Sequence, residues 1–125
     1  VIVKARPLRV LIVDDQEPFR SAARLVVDLA DGFVVIGEAE TAEEALEMVA
    51  AEPPDLVLMD INLPGIDGLE ATRRLSESSP GVRVLVLSTY EAGEFESRAI
   101  AAGAIGFVSK SDFGPWSLRD AVPAD

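Results

Sequence analysis

Five short apolar runs recur along the chain, at residues 8–13, 33–37, 56–59, 82–87 and 105–108. They are near-continuous and mostly built from Val, Ile and Leu, with little of the apolar–polar alternation of a strand that keeps one face wet. Strands covered on both faces read this way, as in a parallel sheet. Between the runs the apolar positions change to helical spacing. Residues 17–30 place Phe19, Ala22, Ala23, Val26 and Ala30 on one face. Thr41 followed by Glu44 is a capping-box pattern, and Ala42, Ala45, Leu46 and Val49 continue it at i, i+3, i+4, i+7. Residues 67–78 carry Leu69, Thr72 and Leu75 and stop at Pro80-Gly81; residues 91–102 carry Phe95, Ala99 and Ala102 and stop at Gly103. Pro115 suits a first helical turn, opening a last short helix through Leu118 and Val122. Strand and helix thus alternate five times, which predicts one α/β domain with a parallel sheet and right-handed crossovers. Residues 1–7 read as a loose arm.

Composition narrows the chemistry. At 125 residues the chain is long enough for one sizeable core, and with 6% aromatic residues that core is aliphatic. The charge of −11 repels nucleic acid and anionic membrane, so this stretch does not grip DNA itself. There is no Cys and no His. Thiolate and imidazole metal sites, disulfides and histidine acid–base chemistry are therefore excluded. A metal here must be a hard cation held by oxygen, and covalent chemistry falls to Asp, Glu, Ser, Thr, Lys or the lone Tyr90. No stretch is long and apolar enough to span a bilayer and no signal peptide is visible, so the expected location is the cytoplasm.

In a parallel sheet the residues just past each strand gather along one edge. Here they are Asp14 and Asp15 after the first run, Asp60 after the third, Ser88 after the fourth and Lys110 after the fifth. Each has an ordinary explanation alone: the aspartates as turn or cap residues, Ser88 as a turn hydroxyl, Lys110 as a solvated lysine. Independent turn residues, however, need not have complementary chemistry on one edge, and that edge is where open α/β sheets bind ligands. Carboxylates within about 4 Å repel by roughly 4 kcal/mol at an effective dielectric near 20. Lys110 offsets one negative charge of three, and a divalent cation closes the balance. Magnesium fits, since it binds through one or two carboxylates plus a phosphate. Asp60 is then the best nucleophile candidate, because a carboxylate can carry a phosphoryl group.

These residues resemble a known family. Asp14-Asp15, the stretch from Asp60-Ile61-Asn62-Leu63-Pro64-Gly65 to Ile66-Asp67-Gly68, Leu87-Ser88, and Gly103-Ala104-Ile105-Gly106-Phe107-Val108-Ser109-Lys110 look like the response-regulator receiver domain, in wording closest to the NarL/FixJ (LuxR-type) subfamily. The resemblance covers about residues 8–122. It implies a flavodoxin-like (βα)5 sandwich with strand order 2-1-3-4-5. It implies that Asp60 accepts a phosphoryl group from a phosphohistidine on a sensor histidine kinase. Asp15, Asp60 and the backbone carbonyl of Asn62 would ligate magnesium, with Asp14 acting through water. Ser88 and Lys110 would hold phosphoryl oxygens, and Phe107 would be the switch aromatic that turns inward with Ser88. Such a domain is a phosphoacceptor that assists its own phosphorylation and dephosphorylation rather than an enzyme. Its phosphorylated form is expected to dimerise and to act on transcription.

Three departures stand out. Ser88 occupies a position where many receivers have Thr, and Ser111 follows Lys110 where many have Pro. The sequence also stops soon after the last helix, without the linker and helix-turn-helix domain usual in LuxR-type regulators. The expectation is one receiver domain over residues 1–125, either a piece of a longer regulator or a stand-alone one; Val1 in place of Met favours the former. Two rivals remain. A phosphohydrolase of the haloacid-dehalogenase kind also uses an aspartyl phosphate, but with Asp-x-Asp after the first strand, whereas Asp14 and Asp15 are adjacent. A receiver-like module that dimerises without phosphorylation is the other. Trp116 and Phe113 read as packing residues, Gly103 as a helix cap, and Glu43, Glu44 and Glu47 as a solvated face.

Overall fold

The computed structural model describes residues 6–89 and 93–122. The arm expected over residues 1–7, Tyr90 and the first two residues of the expected fourth helix lie wholly or mostly outside them. The elements are β1 (Leu8–Val13), α1 (Glu17–Leu29), β2 (Phe33–Ala39), α2 (Ala42–Ala51), β3 (Leu56–Asp60), α3 (Gly68–Ser78), β4 (Arg83–Ser88), α4 (Glu94–Ala101), β5 (Gly106–Ser109) and α5 (Pro115–Ala121). A single 3₁₀ turn, Lys110–Asp112, joins β5 to α5. The strands form one sheet of order β2-β1-β3-β4-β5, and every adjacent pair is parallel. This is the flavodoxin-like α/β fold.

Alternation along each strand divides the core into two layers. Leu11, Val13, Val57, Met59, Val84 and Val86 face Ala42, Ala45 and Val49 of α2, Ala71 and Leu75 of α3, and Ala99 of α4. Val10, Ile12, Leu56, Leu58, Leu85 and Leu87 face Ala23 and Val27 of α1 and Leu118 of α5. Burial on both faces explains why β1, β3 and β4 read as near-continuous apolar runs. No helix among the described residues is long and apolar enough to cross a membrane.

Two expectations change. The inward stripe of α1 is Arg20, Ala23 and Val27, continued by Ala30, while Ala22 is exposed. Phe19, Ala23, Val26 and Ala30 pack inward as expected, and the departure is that Ala22 is exposed while Arg20, a charged residue, is buried because it finds acceptors there. It donates to the Asp14 carbonyl at 2.7 Å and to Glu38 at 3.0 Å. Strand β2 also runs two residues past the expected end, through Glu38 and Ala39. It is an edge strand with a shift of register between Val10 and Leu11 of its neighbour, and a carboxylate is tolerated there because Arg20 and Arg24 pair with it.

Candidate functional site

The carboxyl ends of the strands bring the predicted residues together on one edge. Strand order reverses beside β1, whose neighbours β2 and β3 leave the sheet edge open to ligands. Asp14 follows β1 directly and is buried. Its backbone N–H donates to Ala39, and its Oδ1 accepts from the Gln16 N–H at 2.8 Å, a local turn that fixes the carboxylate. Its Oδ2 is buried and has no aligned hydrogen-bond donor, although the Lys110 ammonium lies 2.6 Å away as an ion pair. Asp15, next along, is exposed. Asp60 is the last residue of β3 and only 3% exposed, with Lys110 Nζ 3.5 Å from its Oδ1. Ligand oxygens of Asp14, Asp15 and Asp60 lie within 4.8 Å of one another.

Burial, and then repulsion from Asp14, push the Asp60 carboxyl up to about 6; Lys110 and the Asn62 backbone N–H, which donates to it, moderate the rise. Ser88 ends β4, fully buried, one residue beyond the position that pairs with Asp60, and stands opposite Ser109 of β5. Lys110 opens the 3₁₀ turn after β5, so strand pairing delivers its stem to the edge. The Ser109 and Ser111 hydroxyls are 2.9 Å apart, so Ser111 contributes a side-chain bond to that turn. Phe107 is not at the edge: it sits within β5, half-buried against the layer of α2, α3 and α4, and lines an open groove of about 440 Å³ with Trp116.

Three contributing residues escaped sequence reading. Arg20 ties α1 to the Asp14 carbonyl. The Phe19 ring centroid is 4.4 Å from Lys110 Nζ. Gly68 packs against the Asp60 backbone, and a Cβ there would lie 2.0 Å from the Asp60 carbonyl oxygen. Only the last carried a signal, as the glycine that closes the stretch from Asp60 through Pro64-Gly65-Ile66-Asp67. Of the two residues read as packing, Phe113 is half-buried against α1 and α5, but Trp116 is 57% exposed.

Residues 10–122 match the response regulator receiver domain. The chain belongs to that family. Response regulator GacA of Pseudomonas viridiflava is 42% identical over 104 residues, covering 82% of this chain and 48% of GacA. Transcriptional regulatory protein DegU of Brevibacillus brevis is 35% identical over 108 residues, covering 86% and 46%. A solved two-component response regulator of the LuxR family from Aurantimonas sp. SI85-9A1 superposes with TM-score 0.84 at 34% identity, covering 93% of this chain and 82% of that one. These relatives place the receiver in the NarL/FixJ subfamily, and the chain spans about half the length of the curated relatives it matches. A receiver is a two-component phosphoacceptor and not a conventional enzyme, which sets aside the phosphohydrolase reading.

Proposed function

We propose that Asp60 accepts a phosphoryl group from a phosphohistidine of a sensor histidine kinase, and that the new charge resets the loops after β4 and β5. The observation that carries this reading is a buried carboxylate at a strand end, with a lysine ammonium 3.5 Å away and two further carboxylates within reach. Every donor in the cluster is an oxygen, and the buried Asp14 Oδ2 lacks an aligned donor, which suits a hard dication. Asp15, Asp60 and the Asn62 backbone carbonyl would hold magnesium, with Asp14 acting through water. When bound, magnesium supplies positive charge to the phosphoryl oxygens.

The protein's own part is positioning. Lys110 and Ser88 would each take one phosphoryl oxygen, drawing in the ends of β5 and β4. Charge-assisted bonds of about 1.5–3 kcal/mol each reach the roughly 5.5 kcal/mol needed to move a switch from mostly off to mostly on with two or three contacts. Phe107 lies on β5, three residues before Lys110 at the start of the turn that follows, and would turn inward as Ser88 moves. The surface of α4, β5 and α5 would change with it and favour a homodimer. We read residues 1–125 as one receiver domain working in the cytoplasm. A transcriptional output is supported by the relation to DegU, and would act on DNA through a separate C-terminal domain, since this chain carries a charge of −11.

Mass spectrometry after incubation with acetyl phosphate and magnesium tests the reading. The carboxylate attacks phosphorus, the bond to acetate breaks and acetate leaves. Wild type is expected to gain one phosphoryl group and Asp60→Asn none. A label that persists in Asp60→Ala refutes the assignment, and a wild type that takes no label favours the phosphorylation-independent module.

A further inference from the structure

We infer that Phe19, on α1, is a positioning residue for the Lys110 ammonium, so that the first helix bears on the phosphoryl site through an apolar ring face as well as through Arg20. The inference rests on the roles proposed above for Asp60 and Lys110. A lysine ammonium is a point charge on a flexible four-carbon stem, so its usefulness depends on what fixes its end. The groups around Nζ include Asp14 Oδ2 at 2.6 Å, Asp60 Oδ1 at 3.5 Å and the face of Phe19 at 4.4 Å from the ring centroid. The lysine side chain is only 13% exposed, so the cation meets the ring with little intervening water, where such contacts are strongest.

The ring is itself held. Phe19 is half-buried on the layer of α1 and α5, with its centroid 6.2 Å from that of Phe113. Phe113 closes the turn that Lys110 opens, donating its N–H to the Lys110 carbonyl at 3.4 Å. Next to Phe19 in sequence, Arg20 anchors α1 to the Asp14 carbonyl. The ring is therefore fixed relative to both the acidic residues and the turn that carries the lysine. Its contact also differs in kind from the other two. Carboxylates draw the ammonium toward themselves, and Asp60 ceases to be a free carboxylate once phosphorylated. A ring face exerts an attraction that tolerates small lateral shifts, so Phe19 can guide Lys110 before and after transfer.

The chain has only two lysines, Lys4 and Lys110, which makes the test clean. In wild type, NMR should show nuclear Overhauser contacts between the Phe19 ring and the Lys110 Hε protons, which are shifted upfield of those of Lys4. Phe19→Leu keeps apolar bulk but removes the ring face. It should lose the upfield shift and slow Asp60 labelling by acetyl phosphate about two- to tenfold at saturating magnesium, with the magnesium midpoint unchanged. Phe19→Tyr should restore both. Absence of the contact in wild type, a Leu variant that labels at the wild-type rate, or a Tyr variant that behaves like Leu overturns the inference. Should Phe19→Leu not fold, the wild-type contact and the Tyr variant decide. Lys110→Ala separates the two levels: if it labels as fast as wild type, the role proposed for Lys110 fails, whereas a slow Lys110→Ala beside an unimpaired Phe19→Leu removes only Phe19.

Discussion

At the scale of single residues, Asp60 shows how a site can work against its own fold. Its carboxyl is buried beside Asp14, and its folded value of about 6 stands above the 3.8 of an unperturbed aspartate. The native state therefore holds a proton between those values that the unfolded chain has released. Stability conferred by that proton is present at low pH and is lost as pH rises through the window from about 4 to 6. The shift corresponds to about 3 kcal/mol. Asp60→Asn keeps an acceptor for the Asn62 N–H and carries no charge. In metal-free buffer the two proteins should be nearly equally stable at pH 4, with the variant ahead by up to about 3 kcal/mol at pH 7. Urea unfolding across this range measures the gap, and a gap that does not change with pH contradicts the account.

At the scale of elements, the junction of β3 and α3 is the most demanding contact of the site. Asp67 caps α3 by accepting from the Glu70 N–H at 2.8 Å, and Gly68 N–H donates to the Ile61 carbonyl at 3.1 Å. The helix start is thus pressed onto the strand end that carries Asp60. A Cβ at Gly68 would meet the Asp60 carbonyl oxygen at 2.0 Å and the Ile61 Cα at 2.9 Å, backbone atoms that cannot rotate aside. Gly68→Ala should cost roughly 1–3 kcal/mol or more and lower Asp60 labelling by acetyl phosphate. Gly81→Ala is the control: nothing lies within 4 Å of its Cβ, and its stability should hold or rise slightly. Similar labelling of both variants would falsify the close-contact argument. The elements also show what could be read beforehand. Strands β1, β3 and β4 were legible because burial on both faces forces an apolar run, and the edge residues followed from parallel topology. The inward Arg20 of α1 was not legible, since it depends on acceptors supplied by Asp14 and Glu38. Nor was Phe19 over Lys110, because 91 residues separate a pair that only the packing of α1 against the β5 turn brings together. The 3₁₀ turn at Lys110–Asp112 was missed for a related reason: three residues carry no periodicity.

At the scale of the whole molecule, a charge of −11 draws any dication to the surface, so magnesium could raise stability without occupying a defined site. Ionic strength separates the two cases. At about 0.15 M salt the Debye length is about 8 Å, which screens diffuse attraction between the cation and the scattered acidic surface. It leaves nearly intact the attraction of three carboxylate oxygens within 4.8 Å of one another. Magnesium bound only to the folded state adds about 2.7 kcal/mol at a hundredfold excess over its dissociation constant. That corresponds to a melting temperature higher by on the order of 10 °C in a domain of this size. Asp15 gives the cleanest variant because it is exposed, so Asp15→Asn should barely alter the metal-free melting temperature. In about 0.15 M KCl, magnesium should still raise the melting temperature of wild type and should have little effect on Asp15→Asn. Equal shifts in both proteins would assign the effect to overall charge. A shift confined to wild type, and unchanged by further KCl, requires the acidic residues at the carboxyl edge of β1 and β3 to act as one site.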